Sequence, residues 1–242
     1  FRDVLNALGM VPAPWLGLEV SGVVVEVGEG VTSLSVGQRV LGLGRATFAT
    51  LATADARMLT PTPAGLTDVE AATVPLVFLT AWGLVHFRGQ VKAGERVLVL
   101  AGTSGVGSAA IQVARAAGAE VMATAGSAEK AALATELGAT KVVDHYDPQW
   151  PQQIQQWTGG KGADLVVEHV GAATWSGSMR CLARKGRLVT CGSTAGTKVE
   201  VVLRHLFIKN QSVLGSTMGP RSALPKIVQN IGDSRGPALE RF

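Results

Sequence analysis

RVLVLAGTSGVG, residues 96–107, is the stretch of sequence that decides the fold. Residues 97–100 are an apolar run of the kind that forms a buried parallel strand. The glycines after it let the backbone turn tightly and approach a pyrophosphate, which then lies at the positive N-terminus of the next helix. A simple tight turn is the alternative, but the flanking strand and helix favour a dinucleotide-binding loop. Its predicted residues are Gly102, Thr103, Gly105, Val106 and Gly107.

Beyond this loop the chain alternates strand-like and helix-like segments. The strand-like segments are almost continuous apolar runs, which suit a parallel sheet covered on both faces. Strands are predicted at Arg96–Ala101, Glu120–Thr124, Lys141–Asp144, Ala163–Glu168, Arg187–Cys191 and Ser212–Gly215. Helices are predicted at Val106–Ala117, Ala128–Leu137, Gln149–Trp157 and Ala172–Leu182. This alternation predicts an α/β fold with a doubly wound, parallel, six-stranded dinucleotide-binding sheet.

The first third of the chain has a different pattern, in which short β-branched runs alternate with closely spaced Gly and Pro residues. This pattern is typical of a small antiparallel barrel. Its strands are predicted at Leu18–Val27, Val36–Val40, Thr47–Thr53 and Met58–Thr60. Thr67 then has capping-box spacing to Glu70. A helix is predicted over Val69–His86, with an interruption at Pro75.

Composition limits the function classes. The chain has 242 residues, two cysteines and 17% charged residues. It is therefore long enough to bury a core without disulfides, and too apolar to be disordered. Its 22 lysines and arginines are scattered and its net charge is only +4, which argues against nucleic-acid binding. No apolar run is long enough to cross a bilayer and no signal peptide is visible, so we expect a cytoplasmic protein.

The segment after the second strand of the predicted sheet bears on the choice of dinucleotide. NAD-binding folds usually place a carboxylate there for the ribose 2′-hydroxyl, but this chain has Ala125. The small residues Gly126 and Ser127 leave room for a 2′-phosphate, and Lys130 supplies positive charge. His145 and Tyr146, after the third strand, flank the same predicted pocket. The sequence therefore favours NADPH, although Lys130 can also be read as an ordinary solvated helix residue.

Metal-ligating residues do not cluster in the sequence. The four histidines are dispersed, and Cys181 and Cys191 lie on either side of one predicted strand. No set with ligand spacing is found, so no metal site is predicted. Cys191 and Gly192 come at the carboxyl end of the fifth strand and are expected to approach the cofactor. For Cys191 itself we expect the role of a core or wall thiol.

Several motifs along the whole chain resemble one known family. They are residues 1–10 (FRDVLNALGM), 16–19 (LGLE), 70–75 (EAATVP) with 80–82 (TAW), 101–107, 126–130 (GSAEK), 158–162 (TGGKG), 168–171 (EHVG) and 214–218 (LGSTM). Together they resemble the zinc-free medium-chain dehydrogenases/reductases. This group includes quinone oxidoreductases and the enoyl reductase domains of polyketide and fatty acid synthases.

The resemblance implies a domain organisation. Residues 1–75 correspond to part of a GroES-like catalytic domain, and residues 76–220 to the Rossmann dinucleotide-binding domain. Residues 221–242 correspond to a helix, Arg221–Ile231, that returns toward the catalytic domain. Family members are longer at both ends, so we expect a fragment with an incomplete GroES-like antiparallel β-barrel. Leu18 and Leu76 stand where zinc-dependent members have metal ligands, which implies chemistry without zinc.

The resemblance also implies site residues. Lys130 and Asp147 match candidate proton donors of fatty acid synthase enoyl reductases, although Asp147 can equally be a turn residue before Pro148. Thr80, Val170 and Met218 fall in cofactor-binding motifs of the family. Asn6 lies in the segment that resembles the active site. Val11 stands where some polyketide enoyl reductases have Tyr, so the α-methyl stereochemistry of the Val type is implied.

Three functions follow as hypotheses. The first is an enoyl reductase. NADPH donates hydride to the β-carbon of an enoyl thioester, and a proton then reaches the α-carbon. An acyl carrier protein is the expected carrier of that thioester. The second is a free-standing NADPH-dependent quinone or enone oxidoreductase. The third is an NADPH-binding protein without catalysis. The resemblance also implies a homodimer that pairs near Ser212–Gly215.

Overall fold

The computed structural model describes residues 2–11, 14–218 and 221–227. The chain divides into two compact units, and each is described by itself. The first unit comprises Phe1–Leu79 together with Pro220–Phe242, and the second comprises Thr80–Gly219. The sequence placed this division after residue 75. Of the predicted helix at 221–231, residues 228–231 lie outside the described part, as does the remainder to 242.

The first unit contains short elements around an antiparallel sheet. Its elements are α1 (Arg2–Ala7), β1 (Glu19–Val23), β2 (Arg39–Leu43), β3 (Leu59–Pro61) and α2 (Asp68–Ala72), followed by the start of α3 (Pro75–Trp82). The described residues form a three-stranded sheet in the order β1-β2-β3, with β2 in the centre. This agrees with a GroES-like antiparallel domain. The predicted capping box is confirmed, since Thr67 and Glu70 exchange side-chain and backbone hydrogen bonds at the start of α2.

One predicted strand of the first unit is wrong. Residues 47–53 bend instead of pairing with a neighbouring strand. The backbone turns at Ala46, whose φ is +55°. The Thr47 hydroxyl then donates to the Glu19 carbonyl at 2.5 Å. A side chain thus satisfies a backbone acceptor of β1, and a continued strand is not needed there.

The second unit contains the predicted alternation of strands and helices. After α3 the backbone continues as a π-helix over Gly83–Arg88. The remaining elements are β4 (Arg96–Val99), α4 (Gly105–Ala116), β5 (Glu120–Ala125), α5 (Ala128–Glu136), β6 (Lys141–Asp144), α6 (Trp150–Trp157), β7 (Ala163–Glu168), α7 (Ala172–Cys181), β8 (Leu182–Thr190), α8 (Leu203–Lys209) and β9 (Ser212–Gly215). The strands form a six-stranded parallel sheet in the order β6-β5-β4-β7-β8-β9. The predicted doubly wound fold is confirmed.

Two details of the second unit differ from the prediction. The helix α7 ends at Cys181 and β8 begins at Leu182, because Leu182 already pairs with Ala163 ahead of a bulge in β7. The helix α8 was not predicted. It has no side-chain cap at Val202, and Leu203 and Phe207 are both more than two-thirds exposed. A helix without a cap or a buried apolar face gives little sequence signal.

Candidate functional site

The loop after β4 is held by the neighbouring strand β5. Ala101 N–H donates to the Thr124 hydroxyl oxygen at 2.9 Å, and Gly102 N–H donates to the Thr124 carbonyl at 2.8 Å. Ala101 has a φ of +45°, a left-handed conformation that L-residues adopt rarely. Ser104 then caps α4, since its Oγ accepts from Gly107 N–H at 3.0 Å. The loop therefore has a fixed shape that leads directly into the helix.

Two glycines of this loop, Gly102 and Gly107, leave no room for a side chain. A Cβ atom on Gly102 would lie 2.8 Å from the Ala123 Cβ and 3.1 Å from the Ile111 Cδ1. A Cβ on Gly107 would clash with the Ala101 carbonyl oxygen. Thr103 lies between them, while Gly105 and Val106 open the twelve-residue helix α4. The first N–H groups of a helix lack intrahelical acceptors and attract anions. The loop can therefore hold a phosphate group.

The ends of β5 and β6 bring together residues that the sequence placed in one pocket. A Cβ on Gly126 would lie 2.8 Å from Tyr146 Cε2 and 2.9 Å from His145 Nε2. His145 and Tyr146 also meet edge to face, with ring centroids 4.5 Å apart. Burial lowers the pKa of His145, Asp144 opposes that shift, and the charge of Lys130 adds to it. Lys130 is therefore within electrostatic reach of His145, and their role in one cofactor pocket stays a prediction.

Ser127 and Lys130 open helix α5 beside this pocket. The Ser127 Oγ accepts from Lys130 N–H at 3.2 Å and so caps the helix. The side chain of Lys130 is exposed. Ala125 pairs with Asp144 of β6, and the Asp144 carboxylate accepts from Tyr146 N–H at 2.9 Å. The sequence did not indicate a role for Asp144. This residue ends β6, whereas the ribose-binding carboxylate of NAD-binding folds usually follows the strand that is β5 here.

Asp147 lies at the start of helix α6. One carboxylate oxygen accepts from Gln149 N–H at 2.8 Å, and the other accepts from the Gln153 side-chain amide at 2.6 Å. Both oxygens are therefore used to start the helix, as the alternative reading of a turn residue requires.

Glu168 lies at the end of β7, and no motif in the sequence predicted a role for its side chain. Its side chain is fully buried. The carboxylate accepts from the N–H groups of Val170 and Gly171 at 2.7 and 3.0 Å, and from the hydroxyls of Thr174 and Ser178 at 2.9 and 2.6 Å. These donors satisfy a buried charge that would otherwise be very costly. Glu168 thus fixes the turn that carries Val170, one of the predicted cofactor-binding residues.

His169 also follows β7, and the sequence analysis assigned it no role. Its Nε2 lies 2.8 Å from the Leu100 carbonyl oxygen and 3.4 Å from the Ser104 Oγ. Burial lowers the pKa of His169, whereas Glu168 and the hydrogen bond to Leu100 oppose the shift. No fixed motif spacing connects His169 with Ser104, so only the fold brings them together.

Cys191 and Gly192 follow β8 at the same edge of the sheet. Burial raises the pKa of the Cys191 thiol to about 11, and Glu168 adds to the shift. The thiol is therefore protonated and unreactive at neutral pH, as expected of a wall residue. A Cβ on Gly192 would lie 3.0 Å from the His169 carbonyl oxygen, so these two residues are neighbours.

Two further predicted cofactor residues lie elsewhere in the second unit. Thr80 is half-buried in α3. Met218 is half-buried in the segment that follows β9. That segment is tied to the sheet by Ser216 N–H, which donates to the Thr190 carbonyl at 2.8 Å. Their role stays a prediction.

The first unit contains an open cleft of about 490 Å³ whose walls are polar and apolar in nearly equal parts. Its lining residues are Asn6, Ala7, Pro14, Trp15, Leu16, Ala46 and Phe48. The Asn6 side-chain amide donates to the Trp15 carbonyl at 2.8 Å. Asn6, predicted to line a substrate pocket, thus does line a cleft, whereas Val11 is not among the lining residues. A cleft of this kind suits a ligand that has both apolar and polar groups.

Glu19 lies between the two positions at which zinc-dependent relatives carry ligands. Its carboxylate accepts from Leu76 N–H at 2.8 Å, and burial raises its pKa. Leu18 and Leu76 offer no donor atoms to a metal. In the described part of the chain, no group of three His, Cys, Asp or Glu side chains has metal-binding geometry. These residues do not fit a metal ion. A search of the described residues for a helix long and apolar enough to span a membrane also finds none.

Two family models match the chain. Residues 105–233 match the model described as zinc-binding dehydrogenase, and residues 2–64 match the alcohol dehydrogenase GroES-like domain. The first match begins within the dinucleotide loop and covers five of the six strands of the parallel sheet, β5 to β9. Its name refers to zinc, although the donor set for a metal is missing from the described residues.

The curated relatives that match are much longer than this chain. A phthioceranic/hydroxyphthioceranic acid synthase of Mycobacterium tuberculosis is 40% identical over 198 residues, which is 79% of this chain and 9% of the synthase. An erythronolide synthase of Saccharopolyspora erythraea is 40% identical over 196 residues, which is 80% of this chain and 6% of the synthase. The chain thus spans less than a tenth of these relatives.

Solved structures of smaller proteins are also similar. An NAD-dependent alcohol dehydrogenase is 35% identical with a TM-score of 0.86, over 97% of this chain and 78% of its own. The Escherichia coli quinone oxidoreductase, solved with NADPH, is 29% identical with a TM-score of 0.85. That similarity covers 99% of this chain and 77% of the oxidoreductase.

Proposed function

The chain belongs to the medium-chain dehydrogenase/reductase superfamily of oxidoreductases, and from this premise we propose that it is an NADPH-dependent enoyl reductase. Its substrate is then an α,β-unsaturated thioester, held by an acyl carrier protein as in polyketide or fatty acid synthesis. The similarity to polyketide synthases supports this substrate class. The cleft that contains Asn6 has apolar side chains such as Trp15 and Phe48 for the acyl chain, beside a comparable polar area.

The observation that carries the cofactor assignment is the pair of sites at the carboxyl edge of the sheet. The loop Gly102–Gly107 and the N-terminus of α4 hold the pyrophosphate. Gly126 lets the His145 and Tyr146 rings pack closely against the backbone, at the edge where the adenosine ribose and its 2′-phosphate are proposed to lie. Ala125 offers no carboxylate to repel that phosphate, and Lys130 supplies a positive charge. An NAD-dependent relative shares the fold, so the preference for NADPH rests on these residues.

When bound, NADPH supplies the hydride that reduces the carbon–carbon double bond at its β-carbon. The negative charge that develops on the thioester oxygen needs fixed hydrogen-bond donors, and a proton must reach the α-carbon. Asp147 is poorly suited to donate that proton, because two N–H donors hold its carboxylate at the start of α6. Lys130 cannot serve the 2′-phosphate and the substrate together. We assign Lys130 to the phosphate and derive the proton from water.

A free-standing quinone or enone oxidoreductase is the second candidate. The similarity to the Escherichia coli quinone oxidoreductase favours it. It would use the same cofactor site without a carrier protein. An NADPH-binding protein without catalysis is the third reading, and turnover of any of these substrates would exclude it.

Two further expectations belong to this proposal. We place the protein in the cytoplasm, where acyl carrier proteins and NADPH are available. We also propose that two copies pair along β9, which is the edge strand of the six-stranded sheet. The exposed apolar residues of α8 and β9 support this pairing, and they are Leu203, Phe207, Ile208 and Val213.

The test is NADPH oxidation by the chain with crotonyl and 2-methylcrotonyl pantetheine thioesters, beside a simple quinone. Turnover of the thioesters alone supports the enoyl reductase. Turnover of the quinone alone favours the second candidate. NADPH binding without turnover favours the third reading.

A matched pair of variants tests the phosphate assignment. Lys130→Met should raise the KM for NADPH about tenfold, because it removes a charge-assisted contact, and should leave the KM for NADH unchanged. Lys141→Met is the control, since Lys141 is also exposed but opens β6 at the opposite end from His145. Equal effects on NADPH and NADH would contradict the assignment.

A further inference from the structure

His169 lies at the point where the strand order of the sheet reverses. The order β6-β5-β4-β7-β8-β9 makes β4 and β7 neighbours, and the chain winds outward from them in both directions. Dinucleotides bind at the carboxyl ends of such a pair. His169 directly follows β7, and its Nε2 lies 2.8 Å from the carbonyl of Leu100, which directly follows β4. The imidazole therefore bridges the two strands at the crevice.

The hydrogen bonds fix the tautomer of His169. A carbonyl oxygen can only accept, so the Nε2 that faces the Leu100 carbonyl carries the proton. The Ser104 Oγ accepts from Gly107 N–H at 3.0 Å. It also lies 3.4 Å from His169 Nε2, so the single Nε2–H, which donates mainly to the Leu100 carbonyl, is shared with Oγ as a longer second contact. The proton of the Ser104 hydroxyl is therefore available to an acceptor on a bound ligand.

We propose that His169 is a positioning residue for the dinucleotide, and that it orients the Ser104 hydroxyl to donate to a pyrophosphate oxygen. This inference rests on the proposed NADPH-binding function and adds Ser104 as a direct ligand of the phosphate. Ser104 caps the helix whose N-terminus receives the phosphate. Its hydroxyl is therefore within the loop that the ligand approaches.

The ionisable groups around His169 predict the effect of pH. Glu168, the preceding residue, carries a buried carboxylate, whereas Leu100 and Ser104 from the other side are uncharged. Cys191, which follows β8, is a protonated thiol. Burial lowers the pKa of His169, so the ring is neutral at pH 7. Protonation on acidification adds a positive charge beside the pyrophosphate, and affinity should then rise as the pH falls.

The experiment measures dissociation constants of the full chain for NADPH and NAD⁺. His169→Leu removes the Nε2 donor at similar volume and should raise the Kd for NADPH about tenfold, the effect of about one hydrogen bond. His169→Gln keeps an N–H donor at the Nε2 position and should stay within about threefold of the wild type. Ser104→Ala should weaken binding as His169→Leu does, and the double variant should be no weaker than either.

The pH dependence of the Kd for NAD⁺ is a measurement that a merely structural role of His169 would not change. NAD⁺ lacks the 2′-phosphate and is stable in acid, so its charge is constant between about pH 5.5 and pH 8. The wild type should bind NAD⁺ more tightly as the pH falls, and His169→Gln should lose this gain. His145 is present in both proteins, so the difference between their profiles belongs to His169.

The outcomes separate the inference from the function it rests on. If the wild type binds neither dinucleotide, the proposed function and the inference both fail. If the wild type binds NADPH and His169→Leu binds it equally well, only the inference is overturned. Identical pH profiles for the wild type and His169→Gln would also overturn it. That comparison decides the matter even if His169→Leu does not fold.

Discussion

The two compact units of this chain are stabilised in different ways. In the second unit the residues of β4 at 97–99 are completely buried, and successive side chains of a strand point to opposite faces. Both faces of the central sheet are therefore covered. The first unit has a three-stranded sheet and a small core. Its exposed apolar residues are Val4, Leu8, Met10, Leu16, Val23, Val25, Val27, Val36, Phe48, Leu51 and Val69.

Polar contacts connect the short elements of the first unit. Arg39 donates to the Asp68 carboxylate at 2.6 Å and to the Leu66 carbonyl at 2.8 Å. The Glu19 carboxylate caps the start of α3 through Leu76 N–H. The difference teaches that cavities should damage the second unit most, whereas the loss of a cap or of a buried carboxyl group can be measured in the first. Hydrogen exchange followed by mass spectrometry can measure the stability of each unit separately.

The largest effect is expected from a cavity in the second unit. Leu98→Ala removes a fully buried side chain from the core cluster that includes Met122 and Trp175. The free energy of unfolding should fall by about 3 to 4 kcal/mol. Urea denaturation followed by tryptophan fluorescence checks this value.

Phe87→Ala is the control for that variant. Phe87 is 61% exposed in the second unit and lies outside the proposed pairing surface, so its truncation should change the free energy of unfolding by less than about 1 kcal/mol. Equal losses in the two variants would break the comparison, because the stability of the second unit would then not depend on its buried sheet.

A smaller effect is expected from the helix cap of the first unit. Thr67→Ala removes the side-chain oxygen that accepts from Glu70 N–H at 3.3 Å. The loss should be about 1 kcal/mol, with faster hydrogen exchange in α2. Thr67→Ser keeps the oxygen and should restore the wild-type rate. Faster exchange confined to the second unit would contradict the assignment.

The smallest effect is expected from Glu19, and it should depend on pH. Burial raises the pKa of Glu19 in the folded state, so its stabilising contribution is present at low pH and is lost as the pH rises through that pKa. Glu19→Gln keeps an acceptor for Leu76 N–H without the charge. The variant should be more stable than the wild type at about pH 8, by less than about 1 kcal/mol, and equal at about pH 4. Urea midpoints at both pH values test the sign.

The sequence predicted the second unit better than the first, for a physical reason. Buried parallel strands such as β4 and β7 are continuous apolar runs, and the glycines of the phosphate loop follow directly in the chain. Residues 47–53 were misread because a single side-chain hydrogen bond from Thr47 replaces strand pairing there. Local patterns do not record such a contact.

The candidate site shows the same limit. Gly126, His145 and Tyr146 were expected together because neighbouring parallel strands end at one edge of the sheet. His169 and Ser104 were not connected, since they are far apart in sequence and meet only where β4 and β7 become neighbours. The burial of Glu168 and its four hydrogen-bonding partners likewise arises from the packing of α7 on the sheet.

The left-handed backbone at Ala101 has a consequence for binding. An alanine in this conformation costs about 1 kcal/mol relative to glycine, yet it has far fewer conformations open to it than glycine has. The two hydrogen bonds to Thr124 hold the same geometry. The loop thus loses little conformational entropy when a ligand arrives. Ala101→Gly would remove the cost of the left-handed conformation and so stabilise the folded chain. The same change would make the unbound loop less preorganised, so the affinity for the dinucleotide would fall.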